Sequence, residues 1–377
     1  MASGTQLVAL FLAEEVAGGG WLTDHWWLLV IGFLIVLAIV LISFLARYLR
    51  IAINLFLDTP LPVTANLTDF TPPEGEIVSF PSLEGRSLRG MFIDRPAGLP
   101  DKGTVLFCHE FASDMMSAGR YAWPLVAAGY TVFTFDFRGH GQSFTPPHFE
   151  PRHWPSNYDV HDILAAIAFV GSRRDTNGKG LGILGVSRGA SAAVVAAALN
   201  PSVRCMAVDS CFSTDLSIDE LMKRWVQIFV RLDPGRADRT FMMYRGFRAL
   251  TMFYAELKCR CHFPSTRRAL TKLDSVPILF IQGERDAYIR PEQARTLHDL
   301  KPGDKELWIC PGAKHNQSVA TDPRTYAAKA VAFFDRYLAT PGPPGPAPSA
   351  PGLPRRRPAV EPRQARPARG EPGRAAT

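Results

Sequence analysis

Short apolar runs separated by glycine, proline and charged residues recur along the chain from about residue 76 to residue 310. Short runs bounded by turn residues predict buried β-strands, and longer segments of mixed polarity predict helices. We predict eight strands, over 76–80, 88–94, 104–108, 131–135, 181–184, 203–209, 277–282 and 306–310. We predict helices over 123–128, 158–170, 188–200, 291–300 and 323–338. Alternating strands and helices predict a mostly parallel α/β sheet, and the turn at 84–86 predicts an antiparallel N-terminal hairpin at one edge.

The longest apolar segment, residues 26–46, is 21 residues without a charged side chain. As a helix it would be about 30 Å long, the thickness of the hydrocarbon core of a bilayer. A signal peptide would begin with a basic region, yet the first 25 residues contain neither Lys nor Arg. A soluble core helix of this length would normally have a polar face. We therefore predict one membrane-spanning helix.

The charges that flank this segment predict its orientation. Acidic residues precede it, whereas Arg47 and Arg50 follow it. The positive-inside rule then leaves the large C-terminal part of the chain in the cytoplasm. The six cysteines lie mostly in or beside predicted strands and show no compact disulfide spacing. Their pattern agrees with a reducing compartment.

Composition divides the rest of the chain. The net charge is +7, and the basic excess lies in residues 213–272 and in the tail from residue 341, which has eleven prolines in 37 residues. Such a tail cannot form a core, so we predict that it is disordered. We predict an N-terminal segment over 1–25, the membrane helix over 26–46, a linker over 47–74, a folded domain over 75–338 and the tail over 339–377.

The sequence Gly185-Val186-Ser187-Arg188-Gly189 joins a predicted strand to a predicted helix. A G-x-S-x-G turn in this context exposes the serine hydroxyl on a sharp bend, and the glycines allow close backbone contact. The helix N-terminus directs free N–H groups and a positive dipole towards that hydroxyl, which favours a developing oxyanion. We predict that Ser187 is a nucleophile, although the motif also occurs with a purely structural serine.

A serine nucleophile needs a base, and the base needs an orienting carboxylate. Of the three histidines that follow Ser187, only His315 lies in a loop directly after the last predicted strand. His262 lies in an irregular segment and His298 within a predicted helix. Two aspartates follow strands: Asp286 gives the chain order Ser, Asp, His, and Asp209 is the alternative. Glu284 is a third carboxylate close to Asp286.

These motifs together resemble the α/β-hydrolase fold superfamily, especially its membrane-anchored serine hydrolases. The resemblance covers about residues 75–338 and rests on four motifs, at 185–189, at 136–143, at 283–286 and at 312–315. It implies Ser187 as nucleophile, His315 as base and Asp286 as its partner. It also implies an oxyanion hole made by the backbone N–H groups of Phe111 and Arg188.

The chain departs from the pattern of that superfamily at one position. Glu110 follows His109, where glycine is usual. Glutamate adopts the required backbone geometry less readily than glycine. We expect its side chain to point to solvent, and the alternative is a carboxylate placed near the site.

The segment over about 212–272 is longer than an ordinary crossover and is predicted to form a helical cap. It mixes aromatic with basic residues. One interpretation is an amphipathic cap with a solvated basic face. The other is a surface that lies against anionic lipid headgroups and admits an acyl chain. No recognisable nucleic-acid-binding module occurs, so we predict no nucleic-acid partner.

We predict neither a metal nor a cofactor. Cys259-x-Cys261-His262 lacks the second ligand pair of a structural zinc site, and the chain has no phosphate-binding glycine motif. The predicted function is a membrane-anchored serine hydrolase that cleaves carboxylic ester, thioester or lipid acyl bonds through an acyl-enzyme. A serine peptidase of the same fold and a non-catalytic scaffold remain as alternatives.

Overall fold

A single eight-stranded sheet forms the centre of the domain in the computed structural model, which describes residues 25–58, 70–147, 149–173, 180–230 and 237–339. Its strands are β1 (Glu76–Pro81), β2 (Ser87–Ile93), β3 (Thr104–Cys108), β4 (Thr131–Phe135), β5 (Leu181–Val186), β6 (Val203–Asp209), β7 (Ile278–Gly283) and β8 (Lys305–Cys310). Their order is β1-β2-β4-β3-β5-β6-β7-β8. β2 pairs antiparallel with β1 and β4, and all other pairs are parallel.

The helices lie before, between and after these strands. They are α1 (Trp26–Asp58), α2 (Ala118–Tyr121), α3 (Trp123–Ala127), α4 (Asn157–Arg173), α5 (Arg188–Ala197), α6 (Thr214–Val230), α7 (Ala237–Cys259), α8 (Thr266–Leu270), α9 (Pro291–Leu300), α10 (Ser318–Thr321) and α11 (Pro323–Phe334). The predicted fold class is confirmed: a mostly parallel sheet with an antiparallel N-terminal hairpin, preceded by one long apolar helix.

Two hydrophobic layers cover the two faces of the sheet. On one face, α4 and α5 contribute residues such as Ile163 and Ala193. On the other, α3 and α11 contribute residues such as Leu125 and Phe333. Strands β3, β4 and β5 are buried along their whole length because both of their faces are covered. The carboxyl ends of the parallel strands therefore form one shared edge, from which loops leave the sheet.

Helix α1 is longer than the predicted membrane span. It continues to Asp58, so residues 47–58 are helical and not part of a linker. Its side chains up to residue 48 are exposed, whereas Phe56 and Leu57 are buried. The Phe56 ring stacks on Trp154 with a centroid distance of 4.9 Å, and Trp154 Nε1 donates a hydrogen bond of 2.7 Å to the Phe56 carbonyl. The last turn of α1 is thus part of the folded domain.

The segment between β6 and β7 contains the predicted cap, formed by α6, α7 and α8. Ile218, Met222 and Ala255 of the cap pack with Phe56 and Leu57 in one hydrophobic cluster. The opposite face of α7 is exposed and apolar: Phe253, Tyr254 and Leu257 are 60%, 42% and 64% accessible to solvent. The aromatic side chains at 225, 229, 241 and 244, and the tail from residue 340, lie outside the described part of the chain.

Candidate active site

Ser187 occupies the sharp turn between β5 and α5. Its backbone has φ +50° and ψ −116°, a conformation that a non-glycine residue adopts only when its surroundings hold it there. Its N–H donates to the Asp209 carbonyl at 2.7 Å, and its carbonyl accepts from the N–H of Ser191 at 3.0 Å. A side chain at Gly189 would clash with the carbonyl oxygens of Cys108 and His109 at 2.4 Å. The glycine therefore lets the start of α5 lie against the end of β3.

His315 lies within hydrogen-bond distance of Ser187. Its Nε2 is 3.0 Å from Ser187 Oγ, and both side chains are buried. The histidine sits in the loop after β8, as predicted. The next residue, Asn316, has φ +58°, and its N–H donates to Ser210 Oγ at 3.3 Å. This contact links the loop of His315 to the end of β6.

Asp286 completes a continuous hydrogen-bonded chain. Its Oδ2 is 2.7 Å from His315 Nδ1 and also accepts from Gln282 Nε2 at 2.8 Å. Its Oδ1 accepts from the N–H groups of Tyr288 and Ile289 at 2.9 and 2.8 Å. Because each carboxylate oxygen has two partners, the orientation of Asp286 towards His315 is fixed.

Hydrogen-bond partners distinguish Asp286 and His315 from the other carboxylates and histidines that the sequence suggested for the site. Asp209 bonds through Oδ1 to Ser210 Oγ at 3.0 Å, and no bond joins it to His315 among the described residues. Burial, with smaller contributions from Asp286 and Glu110, raises the pKa of Asp209 to about 7. Glu284 accepts from the Gly312 N–H at the surface. His262 pairs with Glu256, and His298 lies beside Asp299, so neither contacts Ser187.

The loop after β3 carries Phe111, whose ring centre lies 5.7 Å from the guanidinium carbon of Arg188, the residue after Ser187. The His109 ring fixes this loop: Nδ1 lies 2.7 Å from the Glu110 carbonyl, and Nε2 accepts from the Phe137 N–H at 3.3 Å. Because a carbonyl only accepts, the proton sits on Nδ1 and the ring is neutral. Burial, together with His140 and Arg188, holds the pKa of His109 well below its usual value.

The Glu110 side chain does not point to solvent, so that expectation is wrong. It is buried, and its Oε2 accepts from Ser117 Oγ at 3.2 Å. Burial raises the pKa of Glu110. The next residue but one, Ala112, has φ +57°. Glu110 therefore connects the loop after β3 to the short turn before α2, and its backbone position beside Phe111 is tolerated without glycine.

Three aromatic side chains form a series of contacts that begins at His315. The Tyr288 ring meets the His315 ring edge-on at 5.1 Å, and His153 lies 6.4 Å from Tyr288 and 6.1 Å from Phe111. Burial, with smaller contributions from Arg152 and Arg188, lowers the pKa of His153 to about 3. This imidazole is therefore uncharged at neutral pH. The side chains next to His315 are thus aromatic and uncharged, a lining typical of sites for apolar ligands.

The Arg188 side chain is buried against the rings of Phe137 and Phe111, at 5.0 and 5.7 Å from their centroids. Its Nη1 donates to the Arg152 carbonyl at 3.2 Å and lies 3.4 Å from Asp159. From the sequence, only the backbone N–H of Arg188 was expected to contribute. Gln282 near the end of β7 and the loop residues His153 and Tyr288 were not predicted, because an uncharged side chain at such a position carries no distinctive pattern. Proximity in sequence to Asp286 was the one available signal for Gln282 and Tyr288.

Comparison with known proteins gives matches over most of the domain. A model of the alpha/beta hydrolase family matches residues 105–330. The uncharacterized protein YfhR of Salmonella typhi is 26% identical over 275 residues, which are 71% of this chain and 82% of that protein. The uncharacterized protein YqkD of Bacillus subtilis is 25% identical over 265 residues, 68% of this chain and 77% of that protein.

Solved structures share the fold at lower sequence identity. The esterase Pf2001 of Pyrococcus furiosus superposes with a TM-score of 0.51 and 21% identity, and the match covers 74% of this chain and 97% of that one. The alpha/beta hydrolase GrgF of Penicillium sp. sh18 superposes with a TM-score of 0.53 and 18% identity, covering 71% of this chain and 100% of that one.

Proposed function

Because the chain belongs to the alpha/beta hydrolase family, we propose that it is a membrane-anchored serine hydrolase that cleaves carboxylic ester, thioester or lipid acyl bonds. The observation that carries this proposal is the continuous chain from Ser187 Oγ through His315 to Asp286, with distances of 3.0 and 2.7 Å. A buried serine within hydrogen-bond distance of an imidazole, which is in turn oriented by a carboxylate, is the arrangement that activates a hydroxyl.

The proposed reaction has two stages. Ser187 Oγ attacks the acyl carbon while His315 Nε2 takes the hydroxyl proton, and Asp286 stabilises the resulting imidazolium through Nδ1–H. The N–H groups of Phe111 and Arg188 would stabilise the oxyanion of the tetrahedral intermediate. His315 then protonates the leaving oxygen or sulfur, which departs as alcohol or thiol. Water repeats the sequence on the acyl-enzyme: His315 takes its proton, and the acid and free Ser187 are released.

Two features support an apolar acyl group as substrate. The rings of Tyr288, His153 and Phe111 form a series of contacts that begins at His315, and His153 is neutral at physiological pH. An uncharged aromatic wall binds a hydrocarbon chain by burying its surface from water.

Two features support membrane anchoring. Helix α1 is 33 residues long with a mean hydropathy of 3.3 in its most apolar stretch, and that stretch is exposed. The last turn of α1 packs with the cap, and the exposed apolar face of α7 formed by Phe253, Tyr254 and Leu257 belongs to the same cap. An exposed apolar helix face next to a membrane span is typical of contact with the lipid interface.

Turnover of soluble p-nitrophenyl esters tests the proposed chemistry. We expect the full-length protein in uncharged detergent to hydrolyse acetate to octanoate esters with an initial burst of one equivalent of p-nitrophenol per enzyme. Ser187→Ala should lose at least about 10³-fold in kcat, because the nucleophile is removed. Ser275→Ala, at an exposed serine between α8 and β7, serves as the matched control. Cleavage of short peptide amides at the same rate would instead favour a peptidase, and inertness of folded wild type towards both would favour a scaffold.

A further inference from the structure

A cavity of about 700 Å³ lies on a different part of the domain from Ser187. The turn between β1 and β2, the segment after β4, the start of α4 and the end of α7 all contribute to its wall. Its lining includes Arg86, Arg138, Phe144, Tyr158, Lys258 and Arg260. Neither Ser187 nor His315 lines it. Its volume is within the range of small-molecule sites, about 300–1,000 Å³.

The rim of this cavity carries three exposed cations, Arg86, Lys258 and Arg260. Among the side chains that the structure describes, no carboxylate forms an ion pair with any of them. The lining also includes Glu84, which accepts from Arg138 Nη2 at 2.9 Å. Because Asp162 already balances the charge of Arg138, Glu84 offsets one of the three rim cations, and the described part of the rim keeps a net positive charge.

The floor of the cavity is a buried, rigid arginine. Arg138 is 3% exposed, and its Nε and Nη2 bind Asp162 at 2.6 to 3.0 Å. Its guanidinium carbon lies 5.4 Å from the centre of the Phe144 ring and 4.8 Å from that of Tyr158. These contacts hold the guanidinium plane and both rings in place before a ligand arrives, which reduces the entropic cost of binding.

The end of α7 is held over the cavity by a specific contact. The Tyr158 hydroxyl donates to the Arg260 carbonyl at 3.0 Å, and Arg260 has φ +51°. The cations at 258 and 260 therefore belong to a defined turn and not to a free chain end. Arg86 is held from the other side, where its guanidinium lies 5.7 Å from the Phe144 ring.

We propose that this cavity binds a phosphate group, carried either by a small organic phosphate or by the headgroup of an anionic lipid. Two guanidinium groups and an ammonium match the several acceptor oxygens and the charge of a phosphate monoester. The cavity is larger than one phosphate, so the rest of the ligand lies against Phe144, Phe149 and Tyr158. The bound group would join the cap to the sheet domain, because Lys258 and Arg260 belong to the first and Arg86 to the second.

The test measures thermal unfolding of full-length Ser187→Ala protein in uncharged detergent at constant ionic strength. The serine variant removes turnover, so the result does not depend on the proposed hydrolase chemistry. The probes are inorganic phosphate, glycerol 3-phosphate, and micelles that contain phosphatidic acid or, for comparison, phosphatidylcholine. A ligand that binds only the folded protein raises the midpoint of unfolding in a concentration-dependent way.

The decisive variant combines Arg86→Ala, Lys258→Ala and Arg260→Ala in the same background. Its matched control combines Arg290→Ala, Arg295→Ala and Arg324→Ala, three exposed arginines on other helices that change the net charge equally. We expect the apparent Kd for phosphate to weaken at least about tenfold in the first triple variant and to be unchanged in the control.

Stabilisation by inorganic phosphate or glycerol 3-phosphate that is lost in the rim variant would support a soluble phosphate ligand. Stabilisation by phosphatidic acid alone, lost in the same variant, would support a lipid headgroup. No stabilisation by any probe, or stabilisation that the rim variant retains, would overturn the proposal. Neither negative result would bear on the reactivity of Ser187, because ester turnover by the wild-type protein measures that reactivity independently.

Discussion

At the scale of single residues, hydrogen bonding distinguishes two buried aspartates that both follow strands. Asp286 holds His315 Nδ1 at 2.7 Å and receives three further donors, whereas Asp209 has one donor, Ser210. A carboxylate that orients an imidazole keeps the correct tautomer for proton transfer. Asp209 supports the turn instead, because its backbone carbonyl accepts the Ser187 N–H.

Asp286→Asn should therefore reduce kcat for esters by about 10³- to 10⁴-fold, since the amide cannot stabilise the imidazolium in the required tautomer. Asp209→Asn is the matched control, and we expect its kcat to stay within about threefold of wild type. Steady-state ester hydrolysis measures both. Equal losses in the two variants would mean that Asp286 does not act as the partner of His315.

The Asp209 control has a signature of its own in the pH dependence of stability. Burial raises the pKa of Asp209 from its ordinary value near 3.9 to about 7, so the folded protein holds a proton that the unfolded chain has released. The contribution of this carboxyl to the free energy of unfolding is fully present below about pH 4 and is lost as pH rises through about 7. Between pH 5 and pH 8, wild type should lose on the order of 2 kcal/mol more than Asp209→Asn in thermal unfolding.

The sequence allowed most of the candidate site to be predicted, because Ser187, Asp286 and His315 each follow a strand whose end lies at one edge of a parallel sheet. It did not allow the direction of Glu110 to be predicted. A glutamate in a loop is usually solvated, and the burial of Glu110 depends on donors beneath the loop such as the Ser117 hydroxyl, seven residues away. Contacts of this kind depend on tertiary structure and leave no local pattern.

At the scale of elements, α1 is long enough to span a membrane, and its last turn packs against the folded domain. The uncharged apolar segment ends at residue 46 because Arg47 and Arg50 follow, yet the helix continues to Asp58. Apolar residues still recur at helical spacing beyond the arginines, at Ile53, Phe56 and Leu57, and these three pack with the cap. The strands were easier to predict than this boundary, since each contains a short run rich in apolar residues between turns.

Insertion of α1 in the membrane can be tested by alkaline carbonate extraction of membranes that contain the full chain. We expect wild type to remain with the lipid. Replacing Leu34 and Leu37 by arginine should release it, because each charge near the middle of a span costs about 2.5–3.5 kcal/mol. Asn54→Arg, on an exposed position outside the span, is the matched control. Extraction of wild type by carbonate would contradict a membrane-spanning α1.

At the scale of the whole molecule, helix α1, the cap and the edge of the sheet that carries the candidate site share one hydrophobic cluster. Phe56 of α1 packs with Trp154 and Phe212, and Ile289 belongs to the same cluster. Ile289 also donates its N–H to Asp286, and the Phe212 N–H donates to Ser191 Oγ on α5. The end of α1 is therefore connected to Asp286 through Ile289, and to α5 through Phe212. This arrangement fixes the orientation of the site relative to the axis of α1.

Covalent labelling by a fluorophosphonate tests, without assuming a substrate, whether Ser187 is an activated nucleophile. We predict that the probe modifies full-length wild type in membranes, that mass spectrometry finds the adduct on Ser187, and that His315→Ala slows labelling by at least about 10²-fold. Ser275→Ala, at an exposed serine far from the site in sequence, should label like wild type. If folded wild type does not react, or if the adduct lies on another residue, the hydrolase mechanism proposed for this protein is wrong.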